Sequence, residues 1–263
     1  MSLVRVEPLG AGVVRLVLAR AVMHNALVPE LLDDLLQALR DLGQSADCAA
    51  VVLAADGPAF SIGGDMRRFQ RERQGNLHAY AAGLVGKLNE AILALVDLPQ
   101  PVVAAVHGVV TGGSIGLVLA ADLVFLAPQA VFKAHYATAG FGPDGGWTAL
   151  VGRLAGPRRA AQALLLNRTV CAEEAVAWGL ASEVVAAEHL QETATAAARK
   201  IAGYPAGTMR AAKALLRRGH DRLAADLEAE RRQFLELITN PQAVAGVDDF
   251  LRRFQDYPDS PDQ

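Results

Sequence analysis

Two glycine-rich turns, each placed directly after an apolar strand-like run, constrain this chain more than any other feature. The first, Ala59-Phe60-Ser61-Ile62-Gly63-Gly64-Asp65, follows Ala50-Val51-Val52-Leu53-Ala54. The second, Val110-Thr111-Gly112-Gly113-Ser114-Ile115-Gly116, follows Val102-Val103-Ala104-Ala105-Val106. Glycine admits positive φ and lets bare backbone N–H groups approach a ligand closely. Two such turns can aim two N–H groups at one point, the geometry that holds a carbonyl oxygen as it becomes negative. The pattern therefore implies a reaction class as well as a layered fold.

Strand and helix alternate around these turns. Val4–Glu7 and Val13–Leu18 read as a hairpin about Leu9-Gly10-Ala11-Gly12. Pro29 opens a helix with the stripe Leu31, Leu32, Leu35, Leu36, Leu39 and Leu42, stopped by Gly43. Ala49–Ala54, Val102–Val106 and Leu123–Leu126 read as strands, Leu77–Leu98 as a helix ended by Pro99, and a further helix starts near Gly113. This alternation predicts an α/β core over residues 1–202. Beyond Gly145 the signals are mainly helical: Trp147–Leu154, Pro157–Leu166, Ala172–Trp178 and Leu190–Ala202, with Glu183–Val185 as strand. The last three helices, Gly207–Arg218, Arg222–Ile238 and Ala243–Phe254, lie outside the alternation. Their apolar stripes need a partner surface on the same chain or a neighbouring subunit, and they define a C-terminal helical region over 203–256. Residues 257–263 read as a frayed tail.

With 263 residues, 52% of them hydrophobic and 20% charged, the chain can bury a sizeable core and is not disordered. A net charge of −3 gives no basic surface for nucleic acid. Arg67, Arg68, Arg71 and Arg73 are a local exception, either a solvated helix face or a site for a phosphate-bearing ligand. Two cysteines, Cys48 and Cys171, make no disulfide framework, and the first residues carry no basic-then-apolar leader, so a cytoplasmic location is expected. The longest apolar run, Ile115–Ala127, is broken by Gly116 and Asp122 and is too short to span a bilayer.

Gly112-Gly113-Ser114-Ile115-Gly116 also matches the nucleophile elbow of serine hydrolases, with Asp144 and His189 or His220 following in triad order. That reading leaves the first glycine turn without a role. The alternative seats Ser114 in the first turn of a helix and lets the N–H groups of Gly64 and Gly113 share one oxygen. Losing one such donor costs about 3 kcal/mol of transition-state stabilisation.

Phe60-Ser61-Ile62-Gly63-Gly64-Asp65-Met66 resembles the F-x-x-G-x-D-hydrophobic block of the crotonase superfamily, the enoyl-CoA hydratase/isomerase family. His107-Gly108-Val109-Val110-Thr111-Gly112-Gly113-Ser114 through Asp122 resembles its N-G-x-x-x-G-G-G…D block at matching spacing. Asn25-Ala26-Leu27, Pro143-Asp144-Gly145-Gly146, Glu173-Glu174-Ala175 and Trp178-Gly179-Leu180 extend the likeness from about residue 13 to 254. The resemblance implies a spiral of ββα units with a C-terminal helical region, a homotrimer or dimer of trimers, and an acyl-CoA thioester as ligand. Coenzyme A is then part of the substrate, and neither a separate cofactor nor a metal is expected. By position Gly64 and Gly113 supply the oxyanion N–H groups. Asn25, Ala26, Leu27, Ser61, Ile62 and Gly63 border the adenine and pantetheine.

The resembling hydratases use two glutamates to add water. Their positions here are Gly116 and Tyr136, and neither is a carboxylate. Asp144, in Phe141-Gly142-Pro143-Asp144-Gly145-Gly146-Trp147, occupies a block in which isomerases of the family often carry an aspartate. One acid/base group suffices to shift a double bond or rearrange an enoyl chain. Pro-Asp-Gly-Gly is also an ordinary turn, and Asp a favoured cap for a helix starting near Gly146, so both roles stand. Tyr136 orients substrate, donates a hydrogen bond or packs; if the segment is extended, His135 faces away from it. Phe141 and Trp147 suggest an apolar acyl pocket. His107 reads as structural, and His24 as a surface histidine or a phosphate contact. Asn167-Arg168-Thr169 with Glu173-Glu174 is also similar to a dehalogenase branch that uses this aspartate as a nucleophile on an aromatic acyl-CoA. That branch carries a tryptophan at the Tyr136 position and a histidine near Asn89, both missing here. An enoyl-CoA hydratase, a CoA-binding paralogue without catalysis and a thioesterase-like hydrolase using Asp144 are the remaining alternatives.

Overall fold

The computed structural model describes residues 2–217 and 221–253, together with the backbone alone at His220. β1 (Val4–Gly10) and β2 (Val13–Leu18) form the expected antiparallel hairpin. Its turn passes through Gly10, Ala11 and Gly12, all at positive φ. β2 then pairs in parallel with β3 (Ala50–Ala55), β3 with β4 (Val102–Val106), β4 with β6 (Leu123–Leu126), and β6 with β9 (Glu183–Val184). Every residue of β3 and β4 is buried, as expected of parallel strands covered on both faces. A second sheet of three short strands, β5 (Val109–Thr111), β7 (Val131–Lys133) and β8 (Val170–Cys171), stands apart from the first.

The helices cover these sheets. α1 (Pro29–Gln44) lays Leu31, Leu32, Leu35, Leu36, Leu39 and Leu42 onto the core and starts at Pro29 as read from sequence. α2 (Met66–Glu72) follows the first glycine turn and carries Arg67, Arg68 and Arg71, with Arg73 just beyond its end. α3 (Leu77–Asp97) is long and apolar enough to cross a membrane by length and composition. It is the core helix here, with Leu84, Leu88, Ile92 and Leu95 buried against the protein. A 3-10 turn at Gly112–Ser114 leads into α4 (Ile115–Leu119), and α5 (Tyr136–Ala139) is a single helical turn. α6 (Val151–Ala155), α7 (Pro157–Leu165), α8 (Ala172–Ala177) and α9 (Leu190–Ala202) complete the core.

α10 (Ala206–Leu216), α11 (His220–Leu237) and α12 (Pro241–Arg253) form the C-terminal helical region. α11 packs on α3, and α12 on α2 and α5, so much of their apolar stripe is spent within the chain. Leu223, Leu227, Phe234, Ile238 and Val247 are buried, whereas Leu215 and Leu216 on α10 stay exposed. The expected tail at 257–263 and the final residues of two expected helices, Arg218 and Phe254, lie outside the described residues.

One expected helix is shorter than the sequence implies. Trp147–Leu154 is helical only from Val151. Gly145 and Gly146 take positive φ, and the buried Glu230 carboxylate collects the N–H groups of Gly146, Thr148 and Ala149, holding that stretch as a turn. Asp144 is therefore not the cap of a helix at Gly146. Cys48 and Cys171 are free thiols.

Candidate active site

The two glycine turns lie against each other. Ser61 and Val110 form an isolated parallel bridge, and Gly64 forms another with Leu27. Gly63, at φ 76°, leaves so little space that a Cβ there would sit 2.7 Å from the Thr111 carbonyl oxygen. The first turn is held from below by buried polar groups. The Asn25 amide donates to the carbonyls of Asp56 and Ala59, and the Ser61 hydroxyl donates to Asn25 O at 2.7 Å. Asp65 caps α2 by accepting from Arg68 N and pairs with Arg20 at 2.9 Å.

Gly63, Gly64, Gly112 and Gly113 line one cavity of ≈ 60 Å³. Leu27, Ile62, Tyr136, Phe141 and Asp144 line it as well, so most residues singled out from sequence meet at one place. Asn25, Ala26 and Ser61 do not reach the wall; they are fully buried and shape the loop that does. Phe69, Leu84, Leu88, Phe234 and Phe250 supply further apolar wall.

Asp144 is buried against the second turn. A Cβ on Gly113 would lie 3.0 Å from both carboxyl oxygens, so the carboxyl rests beside that backbone. Tyr136 Oη donates to Asp144 Oδ1 at 2.5 Å and approaches the Asp144 carbonyl at 3.0 Å. Burial pushes the Asp144 carboxyl up to about 7; the Tyr136 hydrogen bond opposes this, and the nearby Glu230 charge adds to it. Burial, with the Asp144 charge behind it, pushes the Tyr136 phenol well above its ordinary range. Asp144 can therefore exchange a proton near neutral pH while Tyr136 stays a donor. His135 is not turned away, because the segment is a helical turn; it lines the cavity, and burial lowers its imidazole to about 4.

The position of the first hydratase glutamate is closed. A Cβ on Gly116 would lie 2.3 Å from the Gly145 carbonyl oxygen and 2.3 Å from Ile92 Cδ1. Backbone and isoleucine occupy the space that an acidic side chain needs. Trp147 Nε1 donates to Gly112 O at 2.8 Å and ties the Asp144 loop to the second turn.

Ser114 is no nucleophile in this arrangement. Its hydroxyl is fully buried and donates to Thr111 O at 2.7 Å, within range of Ser61 O at 3.2 Å. His189 is on the surface beside Glu192, and the side chain of His220 lies outside the described residues. His107 Nε2 bonds to Gly57 O, in keeping with a structural role. No group of three metal-ligating side chains occurs among the described residues.

Two glycine turns on one apolar cavity, with a buried carboxyl beside the second of them, define a site suited to acyl-thioester chemistry. The family model for enoyl-CoA hydratase/isomerase matches residues 9–259, and the chain belongs to that family. It is 32% identical to a protein of Mycobacterium tuberculosis named probable enoyl-CoA hydratase EchA17, over 88% of this chain and 87% of the relative. It is 30% identical to 4-chlorobenzoyl coenzyme A dehalogenase-2 of Arthrobacter, over 74% of this chain and 70% of the relative. The crystal structure of an enoyl-CoA hydratase from Bacillus halodurans superposes with a TM-score of 0.88 at 22% identity, covering 94% of this chain and all of that one. The crotonase-like α/β fold implied by the motifs is the fold of this chain.

Sequence reasoning missed Glu230. It falls at helical spacing on the buried stripe of Leu223, Leu227, Phe234 and Ile238, and that spacing, which Glu228 and Glu236 do not share, is the signal that could have found it.

Proposed function

We propose that this acyl-CoA enzyme shifts a double bond, or rearranges an enoyl-CoA, through an enolate held by the N–H groups of Gly64 and Gly113. The observation that carries this reading is the Asp144 carboxyl, buried beside Gly113 and poised near 7, with the Gly116 position closed to a glutamate. The Asp144 carboxylate takes a proton from the carbon α or γ to the thioester. The electron pair moves onto the thioester oxygen, where the two N–H groups stabilise it. Asp144 then returns the proton at the other end of the dienolate, so atoms are neither gained nor lost. Tyr136 steadies the carboxylate between the two transfers. Hydration, in contrast, needs a second carboxylate to activate water, and Tyr136 stands in that place.

The cavity has room for about four or five water-sized groups, which favours a short or compact acyl chain. A separate groove lined by Arg20, Arg68 and Arg71, together with Glu30, Asp34 and Asp65, includes Val28 and Asp65, the chain neighbours of the cavity residues Leu27 and Gly64, and its arginines are the place proposed for the phosphates of the coenzyme. A homotrimer or dimer of trimers would cover Leu154 and Leu216, which line a groove with Val96, Leu223, Arg153 and Arg217.

A second reading, displacement of an aryl substituent by Asp144 as nucleophile, draws on the likeness to the Arthrobacter dehalogenase. It is weaker here because Asn89, near the activating histidine of that branch, is buried and donates to Leu227 O at 3.1 Å. The test is a panel of 2-enoyl-, 3-enoyl- and 4-chlorobenzoyl-CoA thioesters followed by mass spectrometry. Unchanged mass with a moved double bond supports isomerisation. Gain of 18 mass units, roughly one water, supports hydration, and chloride release supports dehalogenation. Binding without any conversion supports a non-catalytic paralogue.

A further inference from the structure

The Asp144 loop is gripped from the far end of the chain. Glu230, on α11 and 4% exposed, places Oε1 2.6 Å from Thr148 N, 2.6 Å from Thr148 Oγ1 and 2.9 Å from Ala149 N. Its Oε2 accepts from Gly146 N at 2.7 Å. Gly142, two residues before Asp144, rests so close to the Gln233 and Phe234 backbone that a Cβ there would approach within 2.9 Å. The loop from 142 to 149 is thus seated on α11, and one carboxylate takes up three backbone donors and a hydroxyl. Such charge-assisted bonds are about twice as strong as neutral ones and fix a loop's geometry.

We propose that Glu230 is a positioning residue for Asp144, anchoring its loop to the C-terminal helix and keeping a second negative charge behind the reacting carboxyl. This rests on the reading of Asp144 as the acid/base group. The charge has a direction: a neighbouring anion makes a buried carboxylate harder to form, and it acts on Asp144 in the same sense as burial. The other titratable neighbours are Tyr136 from α5, which opposes it by hydrogen bonding, and His135, which burial keeps neutral at neutral pH. From α3 the second glycine turn is met by the apolar Leu88. Glu230 thus tunes when Asp144 holds a proton, and the hydrogen bonds decide where.

A solely structural cap and a tuning charge are separated by the titration of Asp144 itself. The measurement is the carboxyl C=O band in infrared difference spectra of the full-length enzyme, identified by its loss in Asp144→Asn, followed against pH. In Glu230→Gln the band is expected to titrate lower by about half a pH unit or more, with the rising limb of kcat/KM moving alike. In Glu230→Asp, which keeps the charge, it is expected to stay nearer the wild-type position while kcat falls from the looser loop. An unchanged Asp144 titration in folded Glu230→Gln overturns the proposal. Should Glu230→Gln fail to fold, Glu230→Asp decides: unchanged kcat, with unchanged titration, overturns it. The infrared readout does not depend on turnover. If Asp144→Asn remains fully active, the acid/base reading fails, whereas the band still reports whether Glu230 acts on Asp144.

Discussion

At the scale of single residues the site is a balance of three effects on Asp144. Burial raises its carboxyl, Tyr136 lowers it and Glu230 raises it, to about 7. Tyr136→Phe removes the lowering hydrogen bond, so the rising limb of kcat/KM should move to higher pH and the rate at pH 7 should fall. A pH–rate profile checks this, and a limb that moves down contradicts it. The same shift links to stability. The folded protein holds the Asp144 proton more tightly than the unfolded chain, so this group stabilises the fold below about pH 4, and that contribution is lost as pH rises to about 7. The loss is at most about 4 kcal/mol, at about 1.4 kcal/mol per unit. Urea unfolding at several pH values should therefore show wild type losing stability relative to Asp144→Asn across this window. Gly116 carries a different expectation. Its Cβ would strike the Gly145 carbonyl and Ile92, so Gly116→Ala should cost about 1–3 kcal/mol in thermal unfolding, and Gly116→Glu should not create a hydratase. Asp144 was legible in the sequence by subtraction, because the two other carboxylate positions are Gly and Tyr. Glu230 went unread although it interrupts the apolar stripe of Leu223, Leu227, Phe234 and Ile238; its Gly146 partner, 84 positions away, shows only once the helix is docked.

At the scale of elements β3, β4 and the glycine turns were legible because these runs are apolar throughout and lead into residues that tolerate tight backbone. β5, β7 and β8 were not, since strands of two or three residues carry little periodicity to read, although the equally short β9 was expected at Glu183–Val185. The Trp147 stretch misled for a tertiary reason: Gly145 and Gly146 turn at positive φ, and the N–H groups of Gly146, Thr148 and Ala149 are collected by the distant Glu230. α12 closes the site in a way no local pattern announces. Its Phe250 lines the cavity, and Arg73 on the loop after α2 holds it through Asp248 at 2.9 Å and the Val244 carbonyl. Arg73→Met should loosen this clasp by about 1 kcal/mol, since the pair is partly exposed. Hydrogen exchange should then quicken in Pro241–Arg253 while β3 and β4 keep their protection. Equal loss of protection everywhere contradicts the assignment of Arg73 to that clasp.

At the scale of the whole molecule the C-terminal helices settle part of what their stripes demanded. α11 and α12 bury Leu223, Leu227, Phe234 and Val247 on the same chain, and α10 leaves Leu215 and Leu216 exposed, 58% and 82%. With Leu154 they are the surface expected to meet a second copy. Sedimentation at micromolar concentration should give a trimer or hexamer, and Leu216→Glu should shift it toward monomer; a monomeric wild type contradicts the proposed assembly. The central claim is that one carboxyl shuttles a proton on an enoyl-CoA, and one measurement addresses it most directly. Wild type and Asp144→Asn are incubated with 2-enoyl- and 3-enoyl-CoA in deuterated water, and the products are weighed by mass spectrometry. Wild type should move the double bond and exchange substrate hydrogen for deuterium without gaining a hydroxyl. Asp144→Asn should bind the thioesters yet lose about a hundredfold to ten-thousandfold in rate. Efficient addition of water to the 2-enoyl-CoA, undiminished in Asp144→Asn, would contradict the account.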